Sequence, residues 1–509
     1  MHRGKNEVWD AYHHCCAMTN TMAEWWFVAR MYTDLFGLLL FWLFSRWQVL
    51  VITFSPLSFP LITLIRRLLR MRSIYQPVLL SIDFSSYQRG FFVRWEASEV
   101  IDITQSQMPM PIAEADLPLV LRALDVLQDP AYPHPWTAAQ EAVFRFTQSE
   151  QDRLRELDFW DDDWRVPPDL PYRVGRRLFR ALTHDKRGAE ALKIVRAYAL
   201  AVDRPLLISC HFNAHAPADV ALASLPWELL WADEPTPLLA ERRLAATIER
   251  RLKHTGPPPA HVPGLGALRI LALSPQAGIP PELRQIERSA RMHALQPLLE
   301  RNLAEIRELS PVSRRELERV VREWSPDVIH YYGHGRYEEG SGALLLDSER
   351  GGEEWIPSGA LAAALGSVRM VVLHACQGAM TTPGPNLLGS VAPALSLAGV
   401  PVVIGMQFTI RADAATRIAS IVYAGLAQGR SVQEALAAAR IALYVSETDQ
   451  VSWFVPALYV RSRSQGPVYV RPPSDQPPAL TLGSRQTPRI RRLRIQEEWA
   501  RQRHHHRSE

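Results

Sequence analysis

From Leu268 to Val460 the chain alternates between two hydrophobic patterns. Short, nearly unbroken apolar runs recur as LRILALS (268–274), LAEIREL (303–309), DVIHYYG (327–333), VRMVVLHA (368–375), VPVVIG (400–405) and PALYV (456–460). Runs of that length, rich in Val, Ile and Leu, predict strands covered on both faces. Between them lie longer stretches whose apolar residues return every three or four positions. These are PPELRQIERSARMHAL (280–295), SRRELERVVREW (313–324), SGALAAAL (358–365), NLLGSVAPALSLAG (386–399), ADAATRIASIVYAGLAQ (412–428) and SVQEALAAARIALYV (431–445). That spacing predicts helices, and Ser313 with Glu316 stands at capping-box spacing before one of them. The stretch HGRYEEGSGALLLDSERGGEEW (334–355) reads as a loop. Strands separated by helices of this length predict an α/β fold, a mostly parallel sheet with helices on both faces.

Upstream the pattern is more mixed. PVLLSIDF (77–84) and GFFVRWEAS (90–98) read as strands, followed by amphipathic stretches at 113–128 and 136–157. Two further helices, PYRVGRRLFRALT (171–183) and GAEALKIVRAYALAV (188–202), lead to the strand PLLISC (205–210) and to LASLPWELLW (222–231). A smaller mixed α+β region therefore precedes the alternating part, and the proline-rich TGPPPAHVPG (255–264) separates the two halves. No repeat of twenty to fifty residues runs through the chain, which excludes a helical solenoid.

The first seventy residues follow another rule. From Leu35 to Ile65 the only charge is Arg46, and nineteen uncharged residues, 47–65, are followed at once by RRLLRMR. That length can span a bilayer, with Leu35 to Phe44 as the first arm of a hairpin, and basic residues directly after it would keep the body cytoplasmic. Pro56 and Pro60 interrupt the span, and Met71 opens MRSIYQPVLLSIDF, which resembles the start of a globular domain. Two readings stay open: a membrane anchor, or an over-extended gene start. A membrane partner is expected only under the first.

Composition narrows the class. The net charge is +4, and eight arginines against three glutamates lie between Ser484 and Glu509, so the body is close to neutral. A spread nucleic-acid surface is not expected, and the tail reads as a solvated face. The four cysteines, Cys15, Cys16, Cys210 and Cys376, fit neither a disulfide framework nor a zinc site, which points to a reducing, cytoplasmic setting with no metal or cofactor. The two glycines of GLG at Gly264 to Gly266 precede a strand, whereas a dinucleotide fingerprint must follow one.

In an open parallel sheet, ligands bind beyond the carboxyl ends of the strands. DVIHYYG delivers His334 at its carboxyl end, and VRMVVLHA delivers Cys376, two strands that are expected neighbours. An imidazole within reach of a thiol removes its proton and later protonates a leaving amine, which is the chemistry of cysteine nucleophiles. Gly335 lets a backbone N–H approach a substrate carbonyl, and the N–H of Cys376 is the second oxyanion donor. His330, inside the strand, faces with Tyr332 under a helix as a packing residue, and Cys210 is a strand core residue. His374 faces the same way as Cys376 and is a candidate to support it, with a core role equally open. Asp327 and Asp347 are candidates to cap loops or hold an imidazole. Asp413 reads either as a pocket acid or as the N-cap of its helix.

The ordered set DVIHYYGHG, LHACQGA, GVPVVIGMQFTI and SWFVPALYV resembles the CHAT domain, the caspase-like cysteine peptidase domain of the caspase, gingipain and separase clan. The likeness runs from about Val174 to Arg461, because VGRRLFRAL and LASLPWELLW also resemble the segment that precedes the CHAT core. It divides the chain into a hydrophobic segment (1–70), a mixed region (71–170), the CHAT domain (171–461, core 267–461) and a disordered basic tail (462–509). The resemblance implies a cysteine endopeptidase acting on protein substrates, with the family histidine on His334 and its cysteine on Cys376. His374 stands where asparagine is usual, and Gly378 where a small hydroxylated residue is common. Bacterial CHAT proteins often act as effectors in defence or regulated cell death, switched on by a sensing partner, so the resemblance also implies latency and an activating protein. The competing expectation is a caspase-like scaffold in which the dyad is idle.

Overall fold

The computed structural model describes residues 76–88, 90–128, 145–161, 166–213, 217–232, 234–253, 264–265, 267–338, 341–365, 368–375, 387–446, 451–461 and 469–470. The chain divides into a unit at Met1–Pro77 and a second unit that begins at Val78, and the elements below all belong to the second. The hydrophobic 35–65 segment lies outside the described residues. Among those described, no helix is long and apolar enough to cross a membrane.

Three strands, β1 (Val78–Tyr87), β2 (Gly90–Ala97) and β3 (Ile101–Pro109), form an antiparallel meander. Helices α1 (Leu117–Val126), α2 (Gln148–Glu156), α3 (Leu170–Leu182) and α4 (Lys186–Ala201) follow. Next come β4 (Leu206–Asn213), α5 (Pro217–Ala223), β5 (Thr247–Lys253) and the short β6 (Gly264–Leu265). The alternating part then gives β7 (Leu268–Leu273), α6 (Pro281–Leu299), β8 (Ala304–Leu309), α7 (Arg314–Trp324) and β9 (Val328–Gly333). After β10 (Gly335–Glu338), β11 (Ser341–Asp347) and β12 (Glu353–Pro357) come α8 (Ser358–Ala364), β13 (Met370–Ala375), α9 (Leu387–Leu397) and β14 (Val402–Met406). Paired helices α10 (Ala412–Ala427) and α11 (Val432–Tyr444) lead to β15 (Pro456–Val460) and β16 (Tyr469–Val470).

Eleven strands make one sheet in the order β3-β2-β1-β4-β5-β15-β14-β13-β9-β7-β8. The pairs from β1 through β5 to β15, and from β14 to β8, are parallel, while β15 runs against β14. Every residue of β9, β14 and β15 is buried, as strands covered on both faces require. The front region does not stand apart from this sheet. β1 pairs with β4 in parallel, and on α1 the Asp125 carboxylate accepts from the Thr409 N–H (2.7 Å) and hydroxyl (3.2 Å) just past β14.

Two expectations are corrected. The 334–355 stretch is not a plain loop: β10, β11 and β12 pair as a small antiparallel sheet, with a turn at Gly351 and Gly352 between β11 and β12. The capping box at α7 is half made. Ser313 accepts from the Glu316 N–H, but the Glu316 carboxylate turns to Arg319 instead. Past Arg461, Tyr469–Val470 pairs in parallel with Gly264–Leu265.

Candidate active site

The parallel pairing of β9 with β13 puts Gly333 opposite Ala375. Those are the last residues of the two strands, and the next residues in the chain are His334 and Cys376. The two neighbouring strands therefore end side by side on the same side of the sheet. Cys376 itself, like Gly378, lies outside the described residues.

Each residue of HYYGHG has its own task. The Tyr331 hydroxyl lies 2.7 Å from the His334 carbonyl and 2.9 Å from the Leu345 carbonyl, tying the strand end to β11. Gly333 makes this contact possible, since a Cβ there would lie 2.3 Å from the Tyr331 hydroxyl oxygen. Tyr332 packs on Ile279, in the connection from β7 to α6. The His334 ring projects from the strand end, half-exposed, with its Nε2 at 2.8 Å from the Gly278 carbonyl. A carbonyl only accepts, so Nε2 carries the proton. In the neutral ring the lone pair is then on Nδ1. Gly335 opens β10, opposite Leu344 on β11.

Four residues back, His330 sits in different surroundings. It is 1% exposed, with Nδ1 at 2.8 Å from the Tyr423 hydroxyl on α10 and Nε2 at 3.7 Å from Glu287 on α6. His374 lies edge-on to it at 4.7 Å between ring centres, and its Nε2 is buried without a hydrogen-bond partner. Glu287 pairs with Arg291 at 2.6 Å, one helical turn on. Burial holds His330 down at about 3 and His374 well below the usual imidazole range, and it raises Glu287 despite Arg291. Both imidazoles are thus neutral at pH 7. Among the described residues no group of three or more His, Cys, Asp or Glu is arranged to hold a metal ion.

Two predicted residues are not brought to His334. Asp327 precedes β9, a strand length of roughly 20 Å from the far end. There it accepts from the Arg269 N–H at 2.9 Å and pairs with Arg369. Asp413 is not the N-cap of α10; that position is Arg411, and Asp413 lies in the first turn, exposed, paired with Arg411 at 2.6 Å. Sequence reading passed over Gly278, whose part depends on a contact 56 positions away in the chain.

The PWELLW segment is explained by a second buried cluster. Glu228, in the one-turn 3-10 helix Trp227–Leu229, takes both guanidinium nitrogens of Arg250 at 2.6 and 2.8 Å, and all three groups of Glu228, Arg250 and Arg440 are sealed from solvent. Gln407, directly after β14, donates to Glu228 at 2.8 Å and accepts from Arg250 at 2.9 Å.

A family model described as the CHAT domain matches residues 214–504, more than half of the 509-residue chain. Among solved structures, the chain is similar to that of the Saccharomyces cerevisiae separase–securin complex, at 9% identity and a TM-score of 0.40. The likeness covers 76% of this chain and 30% of that one, so the chain spans under a third of its length. No curated protein matches significantly.

Proposed function

This chain belongs to the CHAT domain family, and from that premise we propose that it is a cysteine endopeptidase working through His334 and Cys376. The observation that carries the reading is the register of β9 against β13, which makes His334 and Cys376 the first residues past paired strand ends. The Nδ1 lone pair of His334 takes the thiol proton, and the Gly278 carbonyl stabilises the imidazolium that results. The thiolate attacks the scissile carbonyl of a protein substrate. The N–H groups of Gly335 and Cys376 receive the oxyanion, and Nδ1–H then protonates the leaving amine. Water hydrolyses the thioester, activated by the same imidazole.

Activity is latent until a partner protein binds, in a bacterial defence or signalling pathway. The front region is a suitable relay, because Asp125 on α1 bonds the segment that follows β14, and Gln128 donates to the Val451 carbonyl at 3.1 Å just before β15. The body works in the cytoplasm, tethered to a membrane if the 35–65 segment is an anchor.

Wild type and Cys376→Ala, each co-expressed with candidate partner proteins, are compared by sequencing new protein termini and by labelling with a thiol-reactive peptide probe. Cleavage and labelling confined to the wild type are expected. Labelling that persists at the site in Cys376→Ala, or identical termini in the two samples, sinks the assignment and leaves the scaffold reading.

A further inference from the structure

The carboxylate of Asp347, at the end of β11, gathers three backbone amides. Its oxygens lie 2.9 and 3.0 Å from the Gln276 N–H and 2.7 Å from the Ala277 N–H, both in the connection from β7 to α6. The third is the Val312 N–H at 2.6 Å, in the connection from β8 to α7. The Asp347 N–H in turn donates to the Val312 carbonyl at 2.8 Å. The residue is 7% exposed, so an acceptor-only group is taken out of water and every donor offered to it is main chain. Such a carboxylate fixes the course of two loops rather than balancing a side-chain charge.

One of those loops holds the His334 ring. Directly after Ala277, Gly278 adopts φ +69° and aims its carbonyl at Nε2. A Cβ at Gly278 would stand 2.8 Å from His334 Cδ2 and 2.9 Å from Leu345 Cδ2, so glycine is required twice, by conformation and by space. Ile279 then packs on Tyr332. On the same strand as Asp347, the Leu345 N–H donates to the His334 carbonyl at 3.0 Å. The ring of His334 is thus referenced to β11 through Asp347 and the 276–278 main chain, and its backbone through Leu345.

We propose that Asp347 is a positioning residue for His334, holding the 276–278 main chain so that the Gly278 carbonyl keeps the imidazole in the Nε2–H form, with the lone pair on Nδ1. The catalytic consequence rests on the peptidase reading above, whereas the tautomer itself does not.

The test uses full-length protein with ¹⁵N-labelled histidine in a Cys376→Ala background, the His334 signals being assigned by their loss in His334→Gln. With Asp347 intact, a single Nε2–H tautomer is expected. In Asp347→Asn the imidazole shifts move toward the average of the two tautomers. In the active background the same substitution lowers kcat about 100-fold with KM nearly unchanged, as expected for a displaced general base. Unchanged His334 signals in folded Asp347→Asn overturn the proposal, whatever the activity does. If that variant fails to fold, amide exchange in the unaltered protein decides. Slow exchange at Gln276, Ala277 and Val312 supports the brace, and free exchange at all three overturns it. Cleavage that survives Cys376→Ala removes the peptidase reading and leaves the tautomer comparison standing.

Discussion

His330 and His334 stand four residues apart on one strand end and belong to two regions built on different rules. Beneath the sheet, His330 meets side chains, Tyr423 and Glu287, and burial keeps it neutral. At the rim, His334 meets main chain, the Gly278 carbonyl on its ring and the Leu345 N–H on its carbonyl, and it is half-exposed. The difference is instructive. A side-chain cluster sealed in the core contributes to stability and has no route to a substrate, whereas a half-exposed ring held by a backbone carbonyl is fixed in place at the surface.

The widest separation of the two regions comes from removing each ring. His334→Ala is expected to lower kcat/KM about 10³- to 10⁴-fold, the upper range for a general acid–base, with stability within about 0.5 kcal/mol of wild type. His330→Ala should do the reverse. It opens a cavity and strands the Tyr423 hydroxyl, costing about 2–4 kcal/mol in urea unfolding. Peptide-cleavage kinetics measured beside unfolding curves decide the matter. A His330→Ala protein of normal stability that has lost activity breaks the division.

The interior rule is sharpest at Glu228. Its loss leaves Arg250 and Arg440 sealed away from solvent and facing one another without a counter-charge, and burial already brings Arg440 down to about 10. Glu228→Ala is expected to cost about 3–5 kcal/mol, the range for breaking a buried ion pair by removing one partner. Calorimetric unfolding checks this, and a loss below about 1 kcal/mol contradicts the importance given to the cluster.

Much of this division was legible before the fold was known. The alternation from Leu268 to Val460 predicts β7, β8, β9, β13, β14 and β15 and their helices because continuous apolar runs and three-to-four spacing are local properties of the chain. The placing of His334 after β9 follows from the same pattern. The hairpins of β10 to β12 were hidden because LLLD lacks the alternation of a half-exposed strand and its turn residues equally suit a loop. What holds the rim was legible only as an open choice between Asp327 and Asp347. Asp347 meets Gln276 across 71 positions, and one aspartate looks like another until the loops are folded. Asp327 illustrates the converse: the first residue of DVIHYYG, it lies at the wrong end of the strand.

A smaller effect comes from pH. His330 is held at about 3 when folded, against an ordinary value of about 6.5, so the unfolded chain takes up its proton first. Stability from this group is complete above about pH 6.5 and falls as pH drops toward 3, by about 1.4 kcal/mol per unit, or about 2 kcal/mol at pH 5. Asp125 acts with opposite sign, since burial raises it to about 6 and the folded state protonates first. The difference in slope between wild type and His330→Gln isolates the histidine. Parallel slopes between pH 5 and 6.5 contradict the neutral, buried assignment.

The smallest effect tests the rim most closely. Ser313 caps α7 by accepting from the Glu316 N–H at 3.3 Å, one residue beyond Val312, whose N–H goes to Asp347. Two devices therefore meet at adjacent positions, a helix cap and a loop brace. Ser313→Ala removes the cap alone and is expected to cost about 1 kcal/mol, read from the shift in urea midpoint. If Asp347 fixes the loop, Val312 keeps its place and kcat stays within about twofold of wild type. A tenfold loss of kcat from this substitution would assign the anchoring of the rim to the helix start, leaving the carboxylate a subordinate part.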